Sequence, residues 1–300
     1  MKKYIIYQID SFTQSKFKGN PAGVVVNADG LSENQMQKIA RELNNSETAF
    51  LFSPDDNSCD ARIRFFTPTT EVPTCGHATI AAMHAKALEE NLESCVIQTK
   101  TKIGVLPFEI IRSNDRIKIW MTQGDIEFEP PLPIDIQQQI VNHLGLSFED
   151  LDKKCPIQIV STGHSKVMVG ISGRDTLNKL NPSMDGLKKV SEIIKCNGFF
   201  VYTLNSHDSS ILSYGRMFAP AIGINEDPVT GNANGPLGAY LVKNKLVKGG
   251  GESFSFLGAQ GEAIERQGVV EVLVSIQNDE PKRVKIAGEA VVIFRTTIEI

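Results

Sequence analysis

No two cysteines in this chain are spaced CxxC. The five present, Cys59, Cys75, Cys95, Cys155 and Cys196, are scattered and odd in number. That argues against a disulfide framework and suits a reducing cytoplasm. HExxH and paired Cys/His spacings are missing too, so the five histidines carry no signature of a metal site. No stretch approaches the roughly 18 consecutive apolar residues that a membrane-spanning helix needs. The opening MKKYIIYQID has a short apolar run broken by Gln8 and Asp10, and reads as a strand rather than a signal peptide. Basic charge is not in excess: 31 Lys and Arg against 35 Asp and Glu leave a formal net charge of −4. Nucleic acid and anionic membrane are therefore poor candidates for partners. No long low-complexity linker interrupts the chain.

What is present is a globular composition, 41% apolar and 22% charged over 300 residues, enough for two ordinary domains. The chain also repeats itself. RFFTP at 64–68 is echoed by RMFAP at 216–220, and each is followed by a Gly-containing turn, TCGHAT at 74–79 and TGNAN at 230–234. Upstream, MQKIARELNNSETAFLF (36–52) aligns with LKKVSEIIKCNGFFVY (187–202), a helix-like segment followed by a strand-like one. Ser32 with Gln35 makes a capping box, and Met36, Ile39, Ala40 and Leu43 fall at helical spacing. Tyr4–Ile9, Ala61–Phe66, Arg116–Met121 and Val269–Ile276 read as strands. The segments after TCGH and TGNA are small or apolar almost all round, so each predicts a helix buried inside its domain. The fold class is α+β: two pseudo-symmetric domains, each a curved, mostly antiparallel, barrel-like sheet around a central buried helix. The Pro-rich, acidic GDIEFEPPLP (124–133) marks the boundary. The domains are then 1–122 and 123–300, with the last strand able to pack back on the first.

Domain interfaces favour ligand pockets, and equivalent halves would bring both central helix starts to one cleft. Gly76 and Gly231 precede those helices and let backbone approach a ligand. Unpaired N–H groups at a helix start suit an anion such as a carboxylate. The halves also differ. Glu47 in NNSETAF faces Asn197 and Gly198 in the second half, whereas Glu226–Asp227 has only Glu71, farther from its helix, as a parallel in the first. A proton-transfer site gives a reason for such broken symmetry, because acid–base work needs groups with different roles.

GNPAGVVV (19–26), LSENQMQKIARELNNSETAFLF (31–52), IRFFTPTTEVPTCGHATIAA (63–82), TGHSKVMV (162–169) and MFAPAIGINEDPVTGNANGPLGAYL (217–241) together resemble the PhzF family of phenazine-biosynthesis-like isomerases. That family shares the diaminopimelate epimerase-like fold. The likeness is greatest to bacterial members described only as uncharacterised isomerases. The resemblance implies an active site between two domains, no cofactor, no metal, and a homodimer. It puts the catalytic roles on Glu47 of the SET motif, His77 of the GH motif and Asp227 of the ED motif. Ser46, Cys75, Gly76, Gly231 and Asn232 are expected to bind substrate, Asn232 standing where the family usually has Ser. The implied activity is cofactor-independent isomerisation or epimerisation, Glu47 moving a proton within a small carboxylate-bearing metabolite. Epimerase relatives oppose two cysteines; this chain keeps Cys75 but has Gly231 at the second place, so a symmetric two-thiol racemase is not expected. Cys75-dependent thiol catalysis and non-catalytic carboxylate binding are the alternatives.

Overall fold

A computed structural model describes residues 1–206, 208–247 and 251–300. The chain divides into two compact units, one of Met1–Thr122 with Ala287–Ile300, the other of Gln123–Ile286.

The first unit opens with β1 (Lys3–Ser11) and β2 (Asn20–Val25), then α1 (Glu33–Leu43). The strands β3 (Thr48–Phe52), β4 (Ala61–Phe66) and the short β5 (Glu71–Val72) lead into α2 (Gly76–Glu89). After it come β6 (Cys95–Thr101), β7 (Gly104–Ser113) and β8 (Arg116–Thr122). Pairing is antiparallel for β1–β2, β3–β4, β6–β7 and β7–β8, and parallel for β2–β3 and β4–β6. The predicted capping box is present: Gln35 N–H donates to Ser32 Oγ, and Ser32 N–H donates to Gln35 Oε1. Met36, Ile39 and Ala40 are the buried face of α1 and pack with Phe50 and Phe66. The α2 helix buries ten of its fourteen residues and packs on β1, β2, β3, β7 and β8. A helix wrapped by strands has no face on which polar side chains can reach water, which explains the run ATIAAMHA.

The second unit begins with β9 (Glu127–Pro131), α3 (Ile134–Leu144), β10 (Gln158–Ser161) and β11 (Lys166–Gly170). Two helices, α4 (Arg174–Lys179) and α5 (Met184–Ile194), precede β12 (Phe199–Thr203), β13 (Ser213–Ala219) and β14 (Ile224–Asp227). The central helix α6 (Gly231–Lys243) is followed by β15 (Ser253–Gln260), β16 (Gly268–Gln277) and β17 (Glu280–Glu299). From Ala287 onward β17 belongs to the first unit, where it runs antiparallel to β1. Pairings repeat those of the first unit: β10–β11 antiparallel, β11–β12 parallel, β12–β13 antiparallel, β13–β15 parallel, β15–β16 antiparallel. The α6 helix buries eleven of thirteen residues. Gly238 allows its close approach to the sheet, since a Cβ there would stand 2.8 Å from Val272 Cγ1. Both halves are thus curved, mostly antiparallel sheets around a buried helix, the predicted α+β class.

Candidate active site

The register fixes which residues of the two units correspond. Thr48 pairs with Phe66 and Phe199 with Phe218, so Glu47 and Gly198 occupy equivalent places one residue before their strands. The N-caps of α2 and α6 are Cys75 and Thr230, so Thr230, and not Gly231 as the sequence comparison had it, stands where a second cysteine would be, and His77 is in register with Asn232.

In the first unit, Ser46, Glu47, Cys75 and His77 come together. The half-buried Glu47 places Oε2 3.3 Å from His77 Nε2, and Ser46 Oγ is 3.2 Å from the same nitrogen. On the other edge of the ring, Cys75 Sγ lies 3.4 Å from His77 Nδ1. The hydrogen-bond partner of Nε2 is thus the Ser46 hydroxyl and that of Nδ1 the Cys75 thiol, with the Glu47 carboxylate at ion-pair distance from Nε2. Thiol, hydroxyl and carboxylate are gathered around one imidazole ring. The buried Ser11 hydroxyl donates to the His77 carbonyl at 2.7 Å, tying β1 to the start of α2. Ligand atoms of Glu47, Cys75 and His77 lie within 4.8 Å of one another. Because Glu47 and Cys75 face different ring nitrogens, the arrangement suits a hydrogen-bonded relay better than chelation of one ion.

The starts of α2 and α6 carry no side-chain cap, and neither do those of α3 and α4, whereas α1 and α5 are capped by Ser32 and Ser183. Uncapped first-turn N–H groups keep their donors for an external acceptor. A Cβ at Gly76 would meet nothing within 4 Å, so the space beside this turn is open.

In the second unit, the Thr230 hydroxyl donates to Asp227 Oδ2. Gln260, which is buried, ties this turn together: its Nε2 donates to the Asp227 carbonyl at 2.7 Å and to Thr230 Oγ1 at 3.1 Å. Its Oε1 accepts from Thr230 N–H at 3.0 Å and Asn234 Nδ2 at 3.1 Å. Asn234 is thus engaged inside the fold, its amide also donating to the Thr230 carbonyl. Of the two amides in GNAN, only the half-buried Asn232 has one available for a ligand.

The acidic pair needs one correction. Glu226 is held bidentately by Arg216, 2.9 Å from Nε and 2.7 Å from Nη2, and Arg216 Nη1 also donates to the Leu177 and Leu180 carbonyls. Glu71 is held by Arg64 in the same way, at 2.7 and 2.9 Å. Each arginine lies over the phenylalanine two residues on, at 5.1 Å for Phe66 and 5.0 Å for Phe218. Glu226 is therefore the counterpart of Glu71, a structural clamp in both halves. Strand pairing sets Val72 against Phe65 and Asp227 against Met217, so Asp227 alone breaks the symmetry. The sequence comparison missed this because the two turns differ in length.

Sequence reasoning also passed over Lys166. Its stem fills the space beside Gly198 that Glu47 occupies in the other half: a Cβ on Gly198 would sit 2.4 Å from Lys166 Cδ. Burial lowers the affinity of this lysine for its proton, opposed by the nearby Cys196 and Asp227.

Residues 9–296 match the family described as phenazine biosynthesis-like protein, PhzC-PhzF. The chain belongs to the PhzF family. An uncharacterized isomerase of Clostridium acetobutylicum is 58% identical over 298 residues, covering 99% of each chain. The trans-2,3-dihydro-3-hydroxyanthranilate isomerase of Pseudomonas chlororaphis is 33% identical over 299 residues, again covering 99% of each. Among solved structures, a PhzF-family phenazine biosynthesis protein of Bacillus anthracis superposes with a TM-score of 0.89 at 32% identity, over all of both chains. With such relatives, this PhzF protein is an isomerase acting on a small molecule. No helix among its described residues is long and apolar enough to cross a membrane.

Proposed function

We propose that the enzyme moves a proton within a small carboxylate-bearing metabolite, with Glu47 as the acid–base group. The observation that carries this is the convergence of Ser46, Glu47 and Cys75 on the two nitrogens of His77, beside an uncapped helix start. As carboxylate, Glu47 takes a proton from a carbon acidified by neighbouring unsaturation and returns it to another carbon of the same substrate. One C–H bond breaks, one forms, the double bond shifts, and no electrons are exchanged with an outside reagent. The step calls on no cofactor and no metal. His77 stands beside the carboxylate and steadies it. The backbone N–H groups after Gly76 suit the substrate carboxylate, and Asp227 and Asn232 are the second unit's candidates for holding polar groups of the substrate. The broken symmetry supports this division: Gly198 stands in place of Glu47 and Val72 in place of Asp227. Homodimeric assembly and a cytoplasmic location are proposed on the strength of the family.

The test is deuterium wash-in from heavy water, with product formation followed in the same samples. Substrates are a panel of small amino and cyclic unsaturated acids that includes trans-2,3-dihydro-3-hydroxyanthranilate. Glu47→Gln is expected to lose at least about 10³-fold in turnover, the range of acid–base catalysis, while its melting temperature and ligand affinity stay near wild type. A Glu47→Gln protein that still turns over sinks the proposal. The contact between Cys75 Sγ and His77 Nδ1 favours one second reading, a thiolate nucleophile. It requires Cys75→Ser to abolish turnover and alkylation to inactivate the enzyme with a pH-dependent rate.

A further inference from the structure

Asn232 ends in an amide, and an amide can present either its oxygen or its N–H2 to a ligand. Its surroundings determine which. The Gly231 carbonyl can only accept, so the Gln123 atom 3.1 Å from it must be Nε2. Gln123 Nε2 has a second hydrogen, and this points at the Asn232 side chain 3.0 Å away, which must therefore turn Oδ1 towards it. At the far end of the same group, Thr162 Oγ1 donates to Gln123 Oε1 at 2.8 Å, which locks the glutamine against rotation. The seat of Gln123 is built into the helix: a Cβ at position 235 would stand 1.8 Å from Gln123 Oε1, so only Gly235 admits it. Asn232 Nδ2 is left pointing away from Gln123, and no acceptor among the described residues takes it.

We infer that Gln123 is a positioning residue, which holds the Asn232 amide so that it presents only N–H donors and thereby selects a substrate carrying a carboxylate oxygen at that point. The inference rests on the reading above that Asn232 touches substrate. A serine hydroxyl at this place could donate or accept, whereas the clamped amide can only donate. An ammonium or a hydroxyl hydrogen would meet a like partner and leave both unsatisfied, which is costly once water is excluded.

The decisive variant is Gln123→Glu, which keeps the shape but loses both donors. Asn232 is then expected to turn over and donate its N–H2 to the new carboxylate, presenting Oδ1 outward. The full-length protein is used, with 3-hydroxyanthranilate and its primary amide as probes in calorimetry, and a crystal structure or side-chain ¹⁵N spectrum reports the Asn232 amide. Wild type is expected to prefer the acid to the amide. Gln123→Glu should raise the Kd of the acid by at least about tenfold, in the range of one lost hydrogen bond to a charged group. In an Asn232→Ala background the same change should have little effect, because coupled residues are not additive. Equal losses in both backgrounds, or an amide that does not turn, overturn the positioning role. A turned amide with unchanged affinity leaves that role standing and sinks the reading of Asn232 as a substrate contact. A wild type that binds the acid no better than the amide overturns the assignment to a carboxylate.

Discussion

His84 lies about two turns along α2 from His77, and its chemistry is the opposite. It is buried, its Nδ1 has no hydrogen-bond partner, and burial with help from the Arg112 charge depresses its pKa to about 4. Its value in an unfolded chain is about 6.5. The unfolded state then binds more protons than the native one between those values, so stability is full above the unfolded value and falls as pH drops towards the native one. His84 should cost about 3 kcal/mol across that window, at about 1.36 kcal/mol per unit. Urea denaturation from pH 7 to pH 4 should show the loss, and His84→Leu should flatten that part of the profile. His77 differs because both its nitrogens have polar neighbours, Cys75 on one edge and Ser46 and Glu47 on the other. The two histidines lie on a single helix, both fully legible in the sequence as residues. Only their surroundings separate a packed imidazole from one ringed by a thiol, a hydroxyl and a carboxylate.

Among the elements, the hairpins β4–β5 and β13–β14 carry the same arginine–glutamate clamp ahead of each central helix. The two copies differ in burial: the Arg216 and Glu226 side chains are 8% and 12% exposed, those of Arg64 and Glu71 33% and 15%. Removing one partner of a buried pair leaves an uncompensated charge and costs about 3 kcal/mol or more, whereas exposed pairs contribute about 1 kcal/mol or less. Glu226→Gln should therefore lower the urea midpoint severely and Glu71→Gln modestly, a contrast that equilibrium unfolding of both variants measures. Equal effects would show that the Arg64–Glu71 clamp matters to stability no less than its more buried counterpart. The α1 capping box, the buried stripes of α2 and α6, and the strands around Ile6, Phe65, Ile119 and Val272 follow the periodicities of the sequence, because local preference and burial agree there. The clamp was not readable in this way: both glutamates follow turns of unequal length, and pairing across the hairpin, not spacing along the chain, makes them equivalent.

For the molecule as a whole, duplication has produced two units with the same order of strand pairings and the same buried helix. Their differences gather around the starts of α2 and α6: Glu47 against Gly198, His77 against Asn232, Val72 against Asp227. A shared frame with divergent helix starts is what the proposed division between a proton-moving half and a holding half requires. The proposed homodimer is open to direct test: light scattering after size exclusion should give about twice the 32.9 kDa chain mass at micromolar concentration. A monomer at that concentration would remove the dimer from the proposal.

The sequence by itself determined the α+β class, the repeat, the two buried helices and the identity of the candidate groups, because hydrophobic period, capping and turn chemistry are local properties written along the chain. Tertiary structure decided what those groups do to one another. Folding set Glu47 on one edge of His77 and Cys75 on the other, bound Glu226 to Arg216 and Asn234 to Gln260, and aimed the amide of Asn232 through Gln123. Each of these depends on distance and direction between residues far apart in sequence, and hydrogen bonds, unlike burial, are lost when either is wrong.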